Sequence, residues 1–210
     1  MIKILIADDH PIVRKGLKDI IEEIPDMAVG GEASNGQEAL EKVRKGDFDI
    51  VVLDISMPGG NGLDILKQLK DEKPELSVLV LSMYPEEQYA VRVLRAGASG
   101  YLTKESAPEE LIAAIRKAST GGKYISSSLA EKLAFDLEID AEKPLHETLS
   151  DREYQVMRMI ASGKTGKEIG EELFLSVKTI STYRARILEK MEMKSNAELT
   201  HYAIKYRLVE

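Results

Sequence analysis

The 210-residue chain has no cysteine, so neither a disulfide framework nor a thiolate metal site is available to it. It also lacks any apolar run near the length that spans a bilayer, which predicts no membrane insertion. The N-terminus begins directly on a short strand pattern, so no signal peptide is expected. The three histidines, His10, His146 and His201, are scattered without ligand spacing. Internal repeats and low-complexity tracts are missing too. What is present, 43% hydrophobic and 31% charged residues, is the composition of an ordinary globular protein long enough for two modest domains, with the cytoplasm its expected location.

An excess of basic charge is absent overall, since the net charge is −7, yet the deficit is uneven. Residues 1–126 hold 21 acids and 16 bases, residues 127–147 hold 6 and 2, and residues 148–210 hold 9 and 11. An acidic front therefore precedes a mildly basic back.

The front alternates strands and helices. KILIAD from Lys3, MAVGGEA from Met27, FDIVVLD from Phe48, SVLVLS from Ser77 and GYLTK from Gly100 read as short strands. Between them lie amphipathic stripes: Ile12, Val13, Leu17, Ile20 and Ile21; then Leu63, Leu66 and Leu69; then one beginning at Val91, Leu94 and Arg95. Pro11 suits a first helical position, and Gly46 and Gly97 suit positions just past helix ends. This alternation predicts an α/β domain: a flavodoxin-like, doubly wound, five-stranded parallel sheet of order 2-1-3-4-5, binding ligands beyond the carboxyl ends of its strands.

After residue 126 the alternation stops. SSSLAEKLAFDLEI is compatible with a helical continuation, and AEKPLHE reads as linker. Beyond Leu149 only helical patterns remain. Ser150 with Glu153, Thr165 with Glu168, and Ser195 with Glu198 match the capping-box signature, and Ser176 marks a fourth helix start. The expected boundaries are a first domain over 1–125, a partly helical linker over 126–147, and a second, all-α four-helix domain over 148–210.

The polar residues that end the expected strands carry the chemistry. Asp8 and Asp9 end the first, Asp54 the third, Ser82 the fourth and Lys104 the fifth. The order 2-1-3-4-5 makes these four strands consecutive neighbours, so the endings converge on one rim. Three clustered carboxylates repel one another unless a cation is present. All-oxygen donors with room for water suit Mg²⁺ or Mn²⁺. An aspartate beside such an ion is a competent nucleophile for acyl-phosphate formation. Lys104 and the Ser82 hydroxyl supply a charge and a donor to the transferred group. His10 reads instead as a loop residue or helix cap, and Asn35-Gly36 as a turn.

These residues carry a resemblance. Asp8-Asp9, DISMPGGNG from Asp54, LSMY around Ser82 and GYLTK ending at Lys104 together resemble the receiver domain of two-component response regulators, over roughly residues 2–122. The resemblance implies that Asp54 is the phosphoacceptor, that Asp9 and Asp54 ligate Mg²⁺ with the Ser56 backbone carbonyl, and that Asp8 acts through bound water. It implies that Ser82 and Tyr101 form the switch pair and that Lys104 binds the phosphoryl group. Where many receivers have proline after that lysine, this chain has Glu105, as in the NarL/FixJ subfamily, which permits a trans bond.

In the back, residues 165–191 read as helix, turn, helix, with Ile180, Ile187, Leu188 and Met191 as the buried stripe of the second helix. Its opposite face carries Lys178, Thr182, Ala185 and Glu189, flanked by Ser181 and Arg186. Thr179, Tyr183, Arg184 and Lys164 are candidates for phosphate contacts. The string from LSDRE to ILEKM resembles the LuxR-type helix-turn-helix. That resemblance places Ser181, Thr182 and Ala185 among the base readers, Ala185 offering only apolar contact such as to a thymine methyl. The last helix, with Leu199, Tyr202, Ala203 and Tyr206, resembles the family's dimerisation helix, although its stripe is equally compatible with plain core. The combined expectation is a transcriptional regulator phosphorylated on Asp54 by a sensor histidine kinase. It would bind double-stranded DNA as a homodimer, and would be no enzyme beyond its own phosphoryl transfer and dephosphorylation. Two other readings are a dehalogenase-like phosphatase, disfavoured because that family has a D-x-D arrangement, and a receiver with a protein- or RNA-binding output domain.

Overall fold

The computed structural model describes residues 1–57, 62–126, 129–130, 144–206 and 208–209, and the backbone alone of residues 87 and 88. The chain divides into two compact units, Met1–Leu133 and Ala134–Glu210. Most of the stretch expected as a helical continuation lies outside the described residues.

In the first unit, β1 (Ile2–Ala7), β2 (Met27–Ala33), β3 (Ile50–Asp54), β4 (Ser77–Ser82) and β5 (Gly100–Thr103) form a parallel sheet in the order β2-β1-β3-β4-β5. Helices α1 (Pro11–Glu22), α2 (Gly36–Lys45), α3 (Gly62–Glu72), α4 (Glu86–Arg95) and α5 (Pro108–Ser119) connect and flank the strands. The central strands β3 and β4 are buried along their whole length, which explains their unbroken Ile-Val-Leu runs. Edge strand β2 pairs Ile4 with Val29 but Leu5 with Gly31, so the register shifts past Gly30. A β-carbon at Gly30 would lie 2.6 Å from Lys3 Cγ, and glycine accommodates this irregularity.

Three sequence expectations for the first unit needed correction. The strands expected to include Asp8 and Lys104 end one residue earlier, at Ala7 and Thr103, so both charged residues sit on the rim just beyond the sheet. The α4 stripe is phased differently: Tyr89, Ala90 and Val93 are buried, while Val91 and Leu94 are half-buried and Arg95 exposed. Ile12, placed on the buried stripe of α1, is 87% exposed, whereas Leu17 and Ile21 pack into the core. Apolar periodicity alone did not resolve which side of a short helix meets the sheet.

The second unit holds a short 3₁₀ turn (Leu145–Thr148) and four helices among its described residues: α6 (Asp151–Ala161), α7 (Gly166–Leu173), α8 (Val177–Lys190) and α9 (Asn196–Lys205). Both the α6 and α7 capping boxes are complete, and Ser176 caps α8 by accepting from the Thr179 amide. The α9 box is incomplete: Ser195 accepts from the Glu198 amide, but Glu198 returns its carboxylate to the Lys194 amide instead. Gly170 lets α7 meet the following turn, because a β-carbon there would lie 2.7 Å from the Leu175 carbonyl oxygen.

Glu153 ties the capping of α6 to the packing of α8. Its buried carboxylate accepts from the Ser150 amide at 2.8 Å and pairs with Lys190 Nζ at 2.6 Å. Burial opposes its ionisation, but the bonds from Lys190 and Ser150 outweigh that and hold its pKa below the ordinary glutamate value. A depressed acid stabilises the fold above its unfolded pKa and loses that contribution as pH falls through the folded value. Glu153→Gln should therefore destabilise this unit by about 1–2 kcal/mol at neutral pH. In thermal melts the difference should start to shrink below the ordinary glutamate pKa of about 4.3 and vanish only once the folded side chain is itself protonated; a pH-independent difference would contradict this origin.

Candidate functional site

The rim above β1, β3, β4 and β5 gathers Asp8, Asp9, Asp54, Ser82 and Lys104. Asp8 is held at four points. Its amide donates to the Ala33 carbonyl at 3.1 Å, and its carbonyl accepts from Arg14 Nη1 at 2.7 Å. Its Oδ1 accepts from the His10 amide at 2.8 Å, and its Oδ2 lies 2.6 Å from Lys104 Nζ. Asp54 is fixed by two donors, the Ser56 amide to Oδ1 at 2.8 Å and Lys104 Nζ to Oδ2 at 2.7 Å. One buried ammonium thus bridges two buried carboxylates that come from strand ends 46 positions apart in sequence.

The electrostatics follow from burial. Desolvation pushes the Asp54 carboxyl above the ordinary aspartate range, with the Asp8 charge adding to it, against the opposing pull of Lys104 and the Ser56 amide. Burial works against the Lys104 ammonium, yet its bonds to Asp54 and Asp8 prevail and hold its pKa above the usual lysine value. Lys104 therefore remains a cation. One such charge facing three acids leaves the pocket short of positive charge.

The donor set fits a divalent cation. One ligand atom each from Asp8, Asp9, His10 and Asp54 lies within 4.8 Å of the others. Asp8 Oδ2 and Asp9 Oδ1 are buried oxygens without a hydrogen bond of adequate geometry. Three carboxylates suit a hard, oxygen-seeking ion. His10 occupies the N-cap position of α1, as a cap reading anticipates, but its ring caps nothing; Nδ1 lies 2.9 Å from Asp9 Oδ1.

Ser82 and Tyr101 meet at the peptide of Tyr84. The Ser82 hydroxyl accepts from the Tyr84 amide at 3.1 Å, and the buried Tyr101 hydroxyl donates to the Tyr84 carbonyl at 2.7 Å. The Tyr84 ring in turn stacks on Tyr89 of α4, with centroids 4.9 Å apart. Residue 84 thus links the rim to α4.

Three contributors escaped the sequence reading. Arg14 lies one turn into α1 and grips the Asp8 backbone, a role that no spacing rule reveals. The Tyr84 peptide acts through backbone atoms, which carry no residue signature. Gly62 entered only as the last residue of the DISMPGGNG string, with no role of its own; a β-carbon there would sit 2.3 Å from Ile55 Cα. Its bareness lets α3 start against the segment that carries Ser56.

In the second unit, α8 buries Ile180 and Ile187, Met191 is buried just past its end, and Leu188 is only half-buried. Lys178, Ser181, Thr182, Arg184, Ala185, Arg186 and Glu189 are exposed, and Thr179 and Tyr183 are half-buried. The hydroxyls of Ser181 and Thr182 donate back to the Val177 and Lys178 carbonyls, which leaves their oxygens free to accept. Three candidate phosphate contacts already have partners: Arg184 Nε donates to Asn196 Oδ1 at 2.6 Å, Lys164 pairs with Glu172, and the Thr179 hydroxyl shares a 2.8 Å hydrogen bond with that of Ser176. In α9, Leu199, Tyr202 and Ala203 belong to the core, whereas Ile204 and, just past the helix, Tyr206 are exposed.

Comparison with known proteins places both units. The family model described as the response regulator receiver domain matches residues 4–116, and that of the bacterial regulatory proteins of the luxR family matches residues 147–203. The chain is 38% identical over 209 residues to the response regulator UvrY of Escherichia coli K12, covering 99% of this chain and 96% of that protein. It is 37% identical over 215 residues to the oxygen regulatory protein NreC of Staphylococcus carnosus, covering 99% of each. Among solved structures, RcsB of Salmonella enterica serovar Typhimurium, bound to promoter rprA in the presence of the phosphomimetic BeF₃⁻, matches with a TM-score of 0.66 and 30% identity, over 96% of this chain and 98% of that one. A structure of two RcsB dimers bound to two parallel DNAs matches with a TM-score of 0.60 and 29% identity, over 100% and 99%. No helix among the described residues is long and apolar enough to cross a membrane.

Proposed function

The chain belongs to the response regulators that join a receiver domain to a LuxR-type helix-turn-helix, as in the NarL/FixJ subfamily, and on that premise we propose that Asp54 is its phosphoacceptor and a sensor histidine kinase its donor. The observation that carries this reading is the Lys104 ammonium, 2.7 Å from Asp54 and 2.6 Å from Asp8 inside one buried pocket. An Asp54 carboxylate oxygen attacks the phosphorus of a phosphohistidine. The P–O bond forms as the P–N bond breaks, and the electron pair leaves on the imidazole nitrogen. Lys104, held as a cation, then pairs with a phosphoryl oxygen. The Ser82 hydroxyl gives up the Tyr84 amide and donates to another.

Asp9, Asp54 and the Ser56 carbonyl would hold Mg²⁺ or Mn²⁺, with Asp8 acting through water. When bound, that ion neutralises the acidic cluster and the phosphoryl charge. Apart from its own phosphorylation and dephosphorylation the chain turns over no substrate. Release of the Tyr84 peptide alters its hold on Tyr101 and, through Tyr89, on α4, which makes this face the bistable element.

The receiver would occupy 1–125, the linker 126–147 and the DNA-binding domain 148–210, in a cytoplasmic protein. Phosphorylation would favour a homodimer on paired half-sites of double-stranded DNA. Ser181, Thr182 and Ala185 would face bases, flanked by Arg186; Lys178, Thr179 and Tyr183 would face the backbone, and Arg184 and Lys164 would do so only after leaving Asn196 and Glu172. Support comes from the exposed face of α8 and from the DNA-bound relatives. Lys178→Ala should weaken binding to every sequence and reduce the slope of log affinity against log salt by about 1. An unchanged slope in a salt series would remove Lys178 from the interface.

A further inference from the structure

Phe174 combines two costs with no return inside its own domain. It is the C-cap of α7 and adopts the left-handed conformation, φ 54° and ψ 41°, where a β-carbon is disfavoured and glycine or asparagine is usual. The residue is also 74% exposed; among the described phenylalanines and tyrosines the next most exposed, Tyr206, reaches 41%. The turn itself does not require a phenylalanine. It is closed by backbone bonds, from the Leu175 amide to the Gly170 carbonyl at 2.8 Å and from the Phe174 amide to the Glu171 carbonyl. Asparagine would make the same bonds with less strain.

The position of the ring indicates what it meets. Phe174 lies two residues before Ser176, the N-cap of α8, and three before Val177, itself 52% exposed. Lys178 and Thr179, proposed above for the phosphates, follow at once. An exposed apolar pair thus adjoins the polar and basic start of the helix assigned to the major groove. Deoxyribose faces and thymine methyl groups are the apolar surfaces that duplex DNA offers at such a place.

We infer that Phe174 is a DNA-contacting residue whose ring packs on the sugar or thymine-methyl surface beside the N-terminus of α8. The inference rests on the DNA-binding reading and adds to it a contact that is apolar and independent of salt. A charge-neutral contact releases no counterions.

The test uses the full-length protein and duplex fragments enriched from random DNA by the wild type, comparing wild type, Phe174→Asn, Phe174→Leu and Lys178→Ala. Phe174→Asn should raise the melting temperature of the helical unit by about 4 °C, because the left-handed strain is relieved. It should also weaken DNA binding about tenfold with the salt slope of the wild type retained, and Phe174→Leu should recover part of that affinity. Tighter folding with weaker binding is a pairing that mere structural damage does not produce. Wild-type affinity in Phe174→Asn would overturn the inference while leaving the DNA-binding reading intact. So would wild-type affinity with lost transcriptional activation, which would assign the ring to a protein partner. Failure of the wild type to enrich any DNA would overturn both.

Discussion

Asp54→Ala incubated with acetyl phosphate and Mg²⁺ should incorporate no acid-stable, base-labile phosphate, whereas the wild type should. The loss should be complete, because Asp8 Oδ2 is engaged by Lys104 and Asp9 has neither the Ser56 amide nor the lysine that holds Asp54. The same variant should melt higher than the wild type in metal-free buffer at neutral pH. Burial raises the Asp54 pKa, and a raised acid stabilises the fold only while protonated; its contribution is lost as pH rises through the folded value. At neutral pH the ionised side chain is a liability that alanine removes, and below the pKa of an unfolded aspartate, about 3.9, the advantage should disappear. Residual labelling would point to a different acceptor, and a lower melting temperature would contradict the electrostatic account.

Removing Lys104 should have the opposite effect on stability. The side chain is 7% exposed and supplies the cation shared by Asp8 and Asp54. Lys104→Ala leaves two buried carboxylates facing each other, and breaking a buried pair in this way costs roughly 3–5 kcal/mol. For a unit of this size that lowers the melting temperature on the order of 10 °C. Two conditions should restore stability: acid, which protonates the carboxylates, and millimolar Mg²⁺, which replaces the lost charge. Restoration by Mg²⁺ but not by an equal ionic strength of NaCl identifies the pocket as the place of action. A variant as stable as the wild type under all these conditions would show that the lysine bridge contributes little.

The contrast between these substitutions shows how much was legible in the sequence. Strand order and the convergence of Asp8, Asp54, Ser82 and Lys104 followed from alternation and from what ends each strand, since a parallel sheet brings consecutive carboxyl ends together whatever the loops do. Helix starts were readable where a side chain itself does the capping, as at Ser150 and Thr165. Legibility failed where backbone atoms or a short helix decide. Ile12 and Val91 fit an apolar stripe, yet helices of twelve and ten residues can turn their stripe without breaking the pattern. The Arg14 grip on the Asp8 carbonyl and the double use of the Tyr84 peptide depend on loop geometry that no residue type announces. Phe174 in a left-handed position runs against propensity altogether.

The central claim is that one buried aspartate receives the phosphoryl group, and trapping that group in place tests it most directly. Protein phosphorylated with acetyl phosphate and then reduced with borohydride converts an aspartyl phosphate to homoserine, which peptide mass spectrometry locates. The account predicts homoserine at position 54 alone, in an amount that rises with Mg²⁺ and falls sharply in Lys104→Ala. Homoserine at position 8 or 9, or phosphate held at a residue outside the pocket, would contradict it.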